Sequence, residues 1–305
     1  MPLTDVALLT DRRYTAESAA EEDWYLRNIL HDDRLLREAL TSRGLTSQRV
    51  DWADASIDWT NFRCAVFRTT WDYFYRFSEF SAWLDRVSQQ TLLCNPLGTV
   101  RWNMDKHYLA DLASRGIPVV PTVFLERGSR RSIREVLEET GWDEAVIKPC
   151  VSGSARHTYR VNRLCAAAHQ PQVTALLADA AMLMQPFQED IIRTGEDTLM
   201  VFAGRYSHAV RKKPKSGDFR VQDDHGGTVQ PLNPTPDQIE LAERVFASCQ
   251  PMPIYGRVDM VRDSAGRLAI MELEVIEPEM WLRSHPPAAE MFAEGISNML
   301  SAISK

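Results

Sequence analysis

Apolar and polar positions along the first third of the chain follow two alternating rhythms. Asp5–Thr10 is a short apolar run closed by polar residues, which predicts a buried strand. From Glu21 to Arg43, Trp24, Leu26, Leu30, Leu35, Leu36 and Leu40 fall at roughly helical spacing, and Gly44 supplies the left-handed stop that suits a helix end. Leu45–Trp52 and Cys64–Arg68 read as further strands, the second followed by an aromatic patch of Trp71, Tyr73, Phe74 and Tyr75. Phe80–Ser88 reads as a helix and Thr91–Cys94 as a fourth strand. This strand–helix–strand alternation predicts a small parallel α/β domain.

Asn95-Pro96-Leu97-Gly98 is turn chemistry and predicts a domain boundary. Beyond it the pattern predicts a helix over Asn103–Arg115 closed by Gly116, then an extended Val119-Val120 between Pro118 and Pro121. Ser132–Thr140 reads as a helix, Ala145–Lys148 as a strand, Val151–Ser154 as a loop and Thr158–Val161 as a strand. Val173–Met184 reads as a helix running into a strand that ends at Gln185-Pro186. Strands then alternate with turns over Thr198–Ala203, Ser207–Arg211, Ile254–Arg262 and Leu268–Val275, with helices over Asp237–Ser248 and Ala288–Ile303. The fold class is α/β, turning to α+β in the C-terminal part.

Composition narrows this little: 305 residues with 44% hydrophobic and 25% charged residues are globular values, against a disordered chain, a collagen or a coiled-coil rod. A net charge of −7 argues against wholesale nucleic-acid binding. The apolar Val6–Leu9 stretch is too short for a signal peptide, and no run is long enough to span a membrane. Five scattered cysteines without a CxxC are expected to be buried reduced thiols of a cytoplasmic protein. The histidines form no HxxxH or HxH pair, which argues against a zinc hydrolase. His208 and His225 read as loop or strand residues.

Three local features carry chemistry. Gly204–Arg220 holds Arg205, Arg211, Lys212, Lys213, Lys215 and Arg220 against Asp218, a local +5, and runs towards a glycine-bearing loop at His225-Gly226-Gly227. Alone it reads first as a solvated basic loop, the commoner explanation of such a run, with a phosphate grip as the alternative. In Met271–Pro278, Glu272 and Glu274 share a strand face, and a hairpin turn at Asp263–Gly266 would bring Asp259 beside them. Alone that is an exposed acidic strand face or a Mg²⁺ site. Lys148 precedes a small-residue loop, Ser152-Gly153-Ser154, but no P-loop motif is present, nor a GxGxxG. Together the three fit a nucleotide–metal site.

With these residues the chain resembles the ATP-grasp ligases, among them bacterial glutathione synthetase and D-alanine–D-alanine ligase, over Asn95 to Lys305. The resemblance implies an N-terminal domain over 1–97, a central lobe over 98–184 and a C-terminal lobe over 185–305. It implies ATP lysines at Lys106 and Lys148, a phosphate loop at Ser152, Gly153 and Ser154, and an adenine hinge at Gln185, Pro186, Phe187 and Gln188. The ribose carboxylate falls on Glu196, with Glu189 as the alternative, and the metal ligands on Asp259, Glu272 and Glu274, Glu274 standing where Asn is common. Lys212, Arg220 and Arg257 would act on the phosphates and the reacting centre. The implied cofactors are ATP and Mg²⁺, with Mn²⁺ as a substitute.

The N-terminal segment, Gly217–Arg220 and Met271–Pro278 also resemble a subgroup containing the cyclo-ligase of D-cycloserine biosynthesis. The activity implied is ATP-dependent C–N ligation through an acyl-phosphate on a small amino-acid-like substrate, between molecules or within one. Arg68, Trp71 and Asp72 are candidate substrate residues because ligands of parallel sheets lie beyond the carboxyl ends of the strands, and Arg220 and Glu277, in the segments that carry this resemblance, join them. An ATP-grasp kinase and a non-catalytic nucleotide-binding protein are the alternatives. Neither nucleic acid nor membrane is an expected partner, and a homodimer is left open.

Overall fold

In the computed structural model, which describes residues 4–221, 226–263 and 265–303, the chain builds three sheets in succession. The first is parallel, in the order β2 (Ser47–Asp51), β1 (Thr4–Thr10), β3 (Phe62–Thr69), β4 (Leu92–Cys94). Its central strands β1 and β3 are buried along almost their whole length, as strands covered on both faces must be. The amphipathic helix α1 (Trp24–Ser42) starts where the Asp23 carboxylate accepts the Leu26 N–H, and Gly44 follows its end at φ 73°. On α2 (Phe77–Val87), Phe80, Trp83, Leu84 and Val87 are buried.

The connection out of this sheet departs from the pattern-based expectation. In place of one helix over Asn103–Arg115 there are two, α3 (Leu97–Asn103) and α4 (Tyr108–Ser114). Asp105 Oδ1 accepts the His107 N–H at 3.0 Å and Asn103 is tied elsewhere, so the chain breaks between them and Lys106 sits in the break.

The second sheet is antiparallel, in the order β5 (Val123–Leu125), β8 (Met182–Pro186), β6 (Glu144–Pro149), β7 (Tyr159–Asn162). It has its own core with α5 (Ile133–Thr140) and α6 (Ala166–Asp179). α6 starts earlier than predicted because Pro171, which usually marks a helix start, lies inside it. The helix stops at Asp179 and leaves Met182–Pro186 to enter the sheet. A four-residue helix, α7 (Asp190–Arg193), leads on.

The third sheet is also antiparallel: β11 (Thr228–Leu232), β10 (Arg205–Lys213), β9 (Glu196–Phe202), β12 (Tyr255–Arg262), β13 (Leu268–Glu274). The helices α8 (Pro236–Ser248) and α9 (Ala288–Ile303) complete it. Neither β5 nor β11 was expected; β5 has three residues and β11 carries Pro231, which the outermost strand of a sheet tolerates.

β13 is also an outer strand, yet its free side is not open to solvent. Asn103 Nδ2 donates to Leu273 O at 2.8 Å, Tyr108 Oη accepts the Leu273 N–H at 2.9 Å, and Ile270 bridges to the 118–120 segment. These contacts cover a strand edge that would otherwise template pairing. They also fix the strand that carries Glu272 and Glu274.

Candidate active site

β12 and β13 form the floor of a cleft between the second and third sheets. In their register Asp259 faces Glu272 and Arg257 faces Glu274, and strand alternation puts all four side chains on one face. Gly256 permits the close approach here, since a Cβ on it would lie 2.7 Å from Glu274 O. Arg257 holds Asp259 with two bonds, Nε–Oδ1 at 2.9 Å and Nη2–Oδ2 at 2.8 Å, and its Nη2 also bonds Glu274. Thr198 Oγ1 donates to Asp259 at 2.9 Å. Lys212, from β10, reaches Asp259 at 3.0 Å and Glu196 at 2.5 Å. Lys106 comes from the break between α3 and α4 to Glu272 at 2.9 Å and to Ser152 O at 2.6 Å, and Lys148, at the end of β6, stands 3.9 Å from Glu272.

Burial and pairing compete at each group. Burial pushes the Asp259 carboxyl up, but Arg257 and Lys212 prevail and hold it well below the usual carboxylate range. Burial acts the same way on Glu272, and Lys106 and Lys148 prevail again, lowering it. At Glu274 burial wins: despite Arg257, the neighbouring Asp259, Glu272 and Glu277 help to push it well above its usual range. Burial lowers the Lys148 ammonium, because Glu272 is too distant to compensate it. A buried cation short of negative charge beside a hard-oxygen donor set suits an anion bridged by a divalent ion. Asp259, Glu272 and Glu274 could serve as such a set for Mg²⁺.

The cleft is lined by Lys106, Lys148, Ser152, Gly153, Ser154, Gln185, Pro186, Phe187, Gln188, Glu196, Lys212, Arg220 and the floor residues. After β6 the loop carries three non-glycine residues at positive φ, Ser154, Ala155 and His157, a strained backbone of the kind found at ligand clamps. A second chamber opens from the cleft and shares Gly153, Ser154, Lys212, Val221, Arg257 and Glu274 with it. Tyr25, Trp71 and Phe74 of the first domain form its far wall, with Glu277, Glu279 and Trp281 from the segment after β13.

Several expected residues lie elsewhere. Arg68 is buried and bonds Asp33 of α1 at 2.9 Å, and Asp72 accepts from Trp52 Nε1 at 2.7 Å and pairs with Arg76; neither lines either cavity. Asp33 of α1 intercepts that arginine. Glu189 is exposed and does not line the cleft, whereas Glu196 does. The basic segment is not one loop. Most of it is β10, whose alternation sends Lys212 into the cleft and Arg211 to Asp197, while Arg205 pairs with Glu294. Arg220 lines the cleft while bonded to Asp218 at 2.7 Å. His208 is a buried strand residue of β10; His225 and Ser264 lie outside the described residues. Tyr25, Phe74, Thr198 and Trp281 were not anticipated, since no motif marks them.

A two-lobed cleft with paired lysines, a small-residue loop and a three-carboxylate floor defines an ATP-grasp ligase. The fold is shared with a RimK-domain ATP-grasp protein from Sphaerobacter thermophilus (19% identity, 95% of this chain and 98% of that one, TM-score 0.67). It is also shared with D-alanine–D-alanine ligase from Bacillus anthracis (14% identity, 98% of each chain, TM-score 0.68). Within that class the chain belongs to the DcsG family: it is 34% identical over 290 residues to the cycloserine biosynthesis protein DcsG of Streptomyces lavendulae, covering 89% of this chain and 95% of the relative. Residues 6–95 match the family of the N-terminal domain of D-cycloserine synthetase DcsG. The crystal structure of D-cycloserine synthetase DcsG superposes with a TM-score of 0.85 at 32% identity, covering 97% of this chain and 99% of that one. Among the described residues no helix is long and apolar enough to cross a membrane.

Proposed function

We propose that the chain is a Mg²⁺-dependent, ADP-forming ligase that closes a C–N bond within one small amino-acid-derived molecule, as the name of its D-cycloserine synthetase relative suggests. The observation that carries this reading is the joining of two chambers at Arg257, Lys212 and Glu274, the nucleotide cleft on one side and an aromatic-walled acceptor space on the other. Asp259, Glu272 and Glu274 would hold Mg²⁺, which would draw the phosphate oxygens together and offset their charge. Lys106, Lys148, Lys212 and Arg220 meet the phosphates under the Ser152–Ser154 loop. The 185–188 segment meets the base, and Glu196 the ribose.

A substrate carboxylate oxygen attacks the γ-phosphorus and ADP leaves, giving an acyl-phosphate. A nitrogen of the same molecule then attacks the carbonyl carbon, loses a proton and expels phosphate. Arg257, at the junction, steadies the charge on the reacting carboxyl oxygens, and the protein supplies no covalent nucleophile. Closing the 152–158 loop over the cleft excludes the water that would hydrolyse the acyl-phosphate. The supply of ATP places the reaction in the cytoplasm.

The test is ADP release from a panel of small amino acids and their ureido, hydroxyl and amine derivatives, with and without Mg²⁺, followed by product analysis. The expected result is Mg²⁺-dependent ADP with free phosphate and a ring C–N bond. A stable phosphorylated product would make the protein a kinase, and nucleotide binding without turnover across the panel would make it a non-catalytic binder.

A further inference from the structure

The second chamber holds a carboxylate that the phosphate chemistry does not use. Glu277 lies three residues beyond β13 on the chamber wall, half-buried. Its neighbours are matched by cations: Glu274 bonds Arg257, and Glu279 bonds Arg283 at 2.6 Å. Among the described residues Glu277 forms no ion pair, and the hydroxyl of buried Tyr73 donates to its carboxyl. Its place is set by its own backbone, since Trp71 Nε1 donates to Glu277 O at 2.9 Å. Burial pushes the acid up to about 7, the mark of a desolvated carboxylate that Lys106 and Arg257 compensate only in part.

Aromatic rings close in around it. Tyr25, Trp71 and Trp281 line the same space, and Trp71 is braced edge-on by Tyr14 at 5.4 Å and at a tilt by Tyr25 at 5.8 Å. Trp281 Nε1 is buried without a hydrogen-bond partner, so this wall too is incomplete without a ligand. Aromatic faces beside a lone carboxylate attract an ammonium and give little to a neutral group. Arg257 borders the same chamber, its guanidinium 5.4 Å from the centre of the Trp281 ring, and suits a carboxylate end.

We propose that Glu277, walled by Tyr25, Trp71 and Trp281, holds the cationic amino group of the substrate, orienting an amino acid with its carboxylate towards Arg257 and the nucleotide. This rests on the ligase reading above and makes Glu277 a specificity-determining residue rather than a catalytic one. Amino acids with a free amine are selected over N-acylated ones of the same skeleton.

The probes are D-cycloserine, whose amine is free, and its N-acetyl derivative, titrated by tryptophan fluorescence into protein preloaded with Mg·ADP. Wild type is expected to bind the amine at least tenfold more tightly. In Glu277→Gln that preference should vanish while the affinity for Mg·ADP is unchanged, and in Tyr25→Leu it should shrink. A preference that survives Glu277→Gln, or equal binding of both probes by wild type, overturns the cage and leaves the ligase reading standing. Should neither probe bind a wild type that binds Mg·ADP, the D-cycloserine reading fails and the cage falls with it.

Discussion

Glu272 joins two lysines that reach it from different parts of the chain, Lys106 at 2.9 Å and Lys148 at 3.9 Å. The two do not share it equally. Burial opposes the charge on Lys106, yet Glu272 and its acidic neighbours keep that ammonium above its usual range. Lys148, held further off, is lowered by the same burial. Lys148 is thus the cation with most to gain from a phosphate, and Glu272 the group that keeps both lysines aimed into the cleft. Lys148→Ala and Glu272→Ala are each expected to reduce Mg·ATP-dependent product formation by about 10³-fold or more, the scale on which enzymes lose a fixed charge aimed at a transferring phosphoryl group. ADP release together with a thermal melt checks this. Turnover within tenfold of wild type in a folded variant would refute the assignment of either residue.

At the scale of the element, β10 shows what a strand does to a charge pattern. Its sequence reads as a basic run, but alternation divides it, Lys212 going to the cleft and Arg211 to Asp197. His208, two turns of that alternation back, is buried, with its Nε2 2.9 Å from Met280 O. Burial lowers this imidazole to about 4, with the adjacent His285 adding to the effect, so it stays neutral in the fold while the unfolded chain titrates near 6.5. The unfolded state therefore binds more protons in that window. Stability from His208 is full above about pH 6.5 and is lost as pH falls towards 4, by roughly 3 kcal/mol at most. Glu277, raised to about 7, acts in the opposite sense over part of the same range. Wild type alone therefore shows a flattened profile, and the comparison with His208→Gln isolates the histidine. Urea unfolding at pH 7 and pH 4.5 should give a smaller loss of stability for the variant than for wild type; equal losses would rule the mechanism out.

The same scale shows why some elements were legible in the sequence. β12 and β13 announce their facing carboxylates because alternation and a turn are local properties. Arg68 was misplaced because its partner, Asp33, sits 35 residues earlier on α1, and no local pattern reports a pairing at that separation. The break at Lys106 was invisible because it depends on Asn103 being captured by β13, 170 residues away.

Across the whole molecule the three sheets are not equal partners. The largest apolar cluster mixes the first and third sheets, placing Leu9 and Phe67 in one core with Val201, Phe246 and Val258. Asn95, fully buried between them, donates to Tyr255 O at 2.7 Å and Val275 O at 2.8 Å, and accepts from the N–H groups of Ile254 and Tyr255. Read from sequence as part of a turn at a domain boundary, it is a clasp, and Tyr255 Oη adds a bond to Phe67 O at 2.6 Å. The second sheet packs its own cluster with α5 and α6 and contributes almost nothing to the other two. A body with a separate core can rock against its neighbours at little packing cost, and the nucleotide cleft lies along that boundary. Charges from both sides, Lys148 with Glu272 above all, would be drawn together by a bound polyphosphate. Hydrogen exchange with and without Mg²⁺ and a non-hydrolysable ATP analogue should therefore show nucleotide-dependent protection in residues 150–158 and 185–188. β1 and β3 should change little, since they already open only with the clasped pair of sheets. Protection spread evenly over all three sheets, or none in the 150–158 loop, would mean that the second sheet does not move as a separate lid.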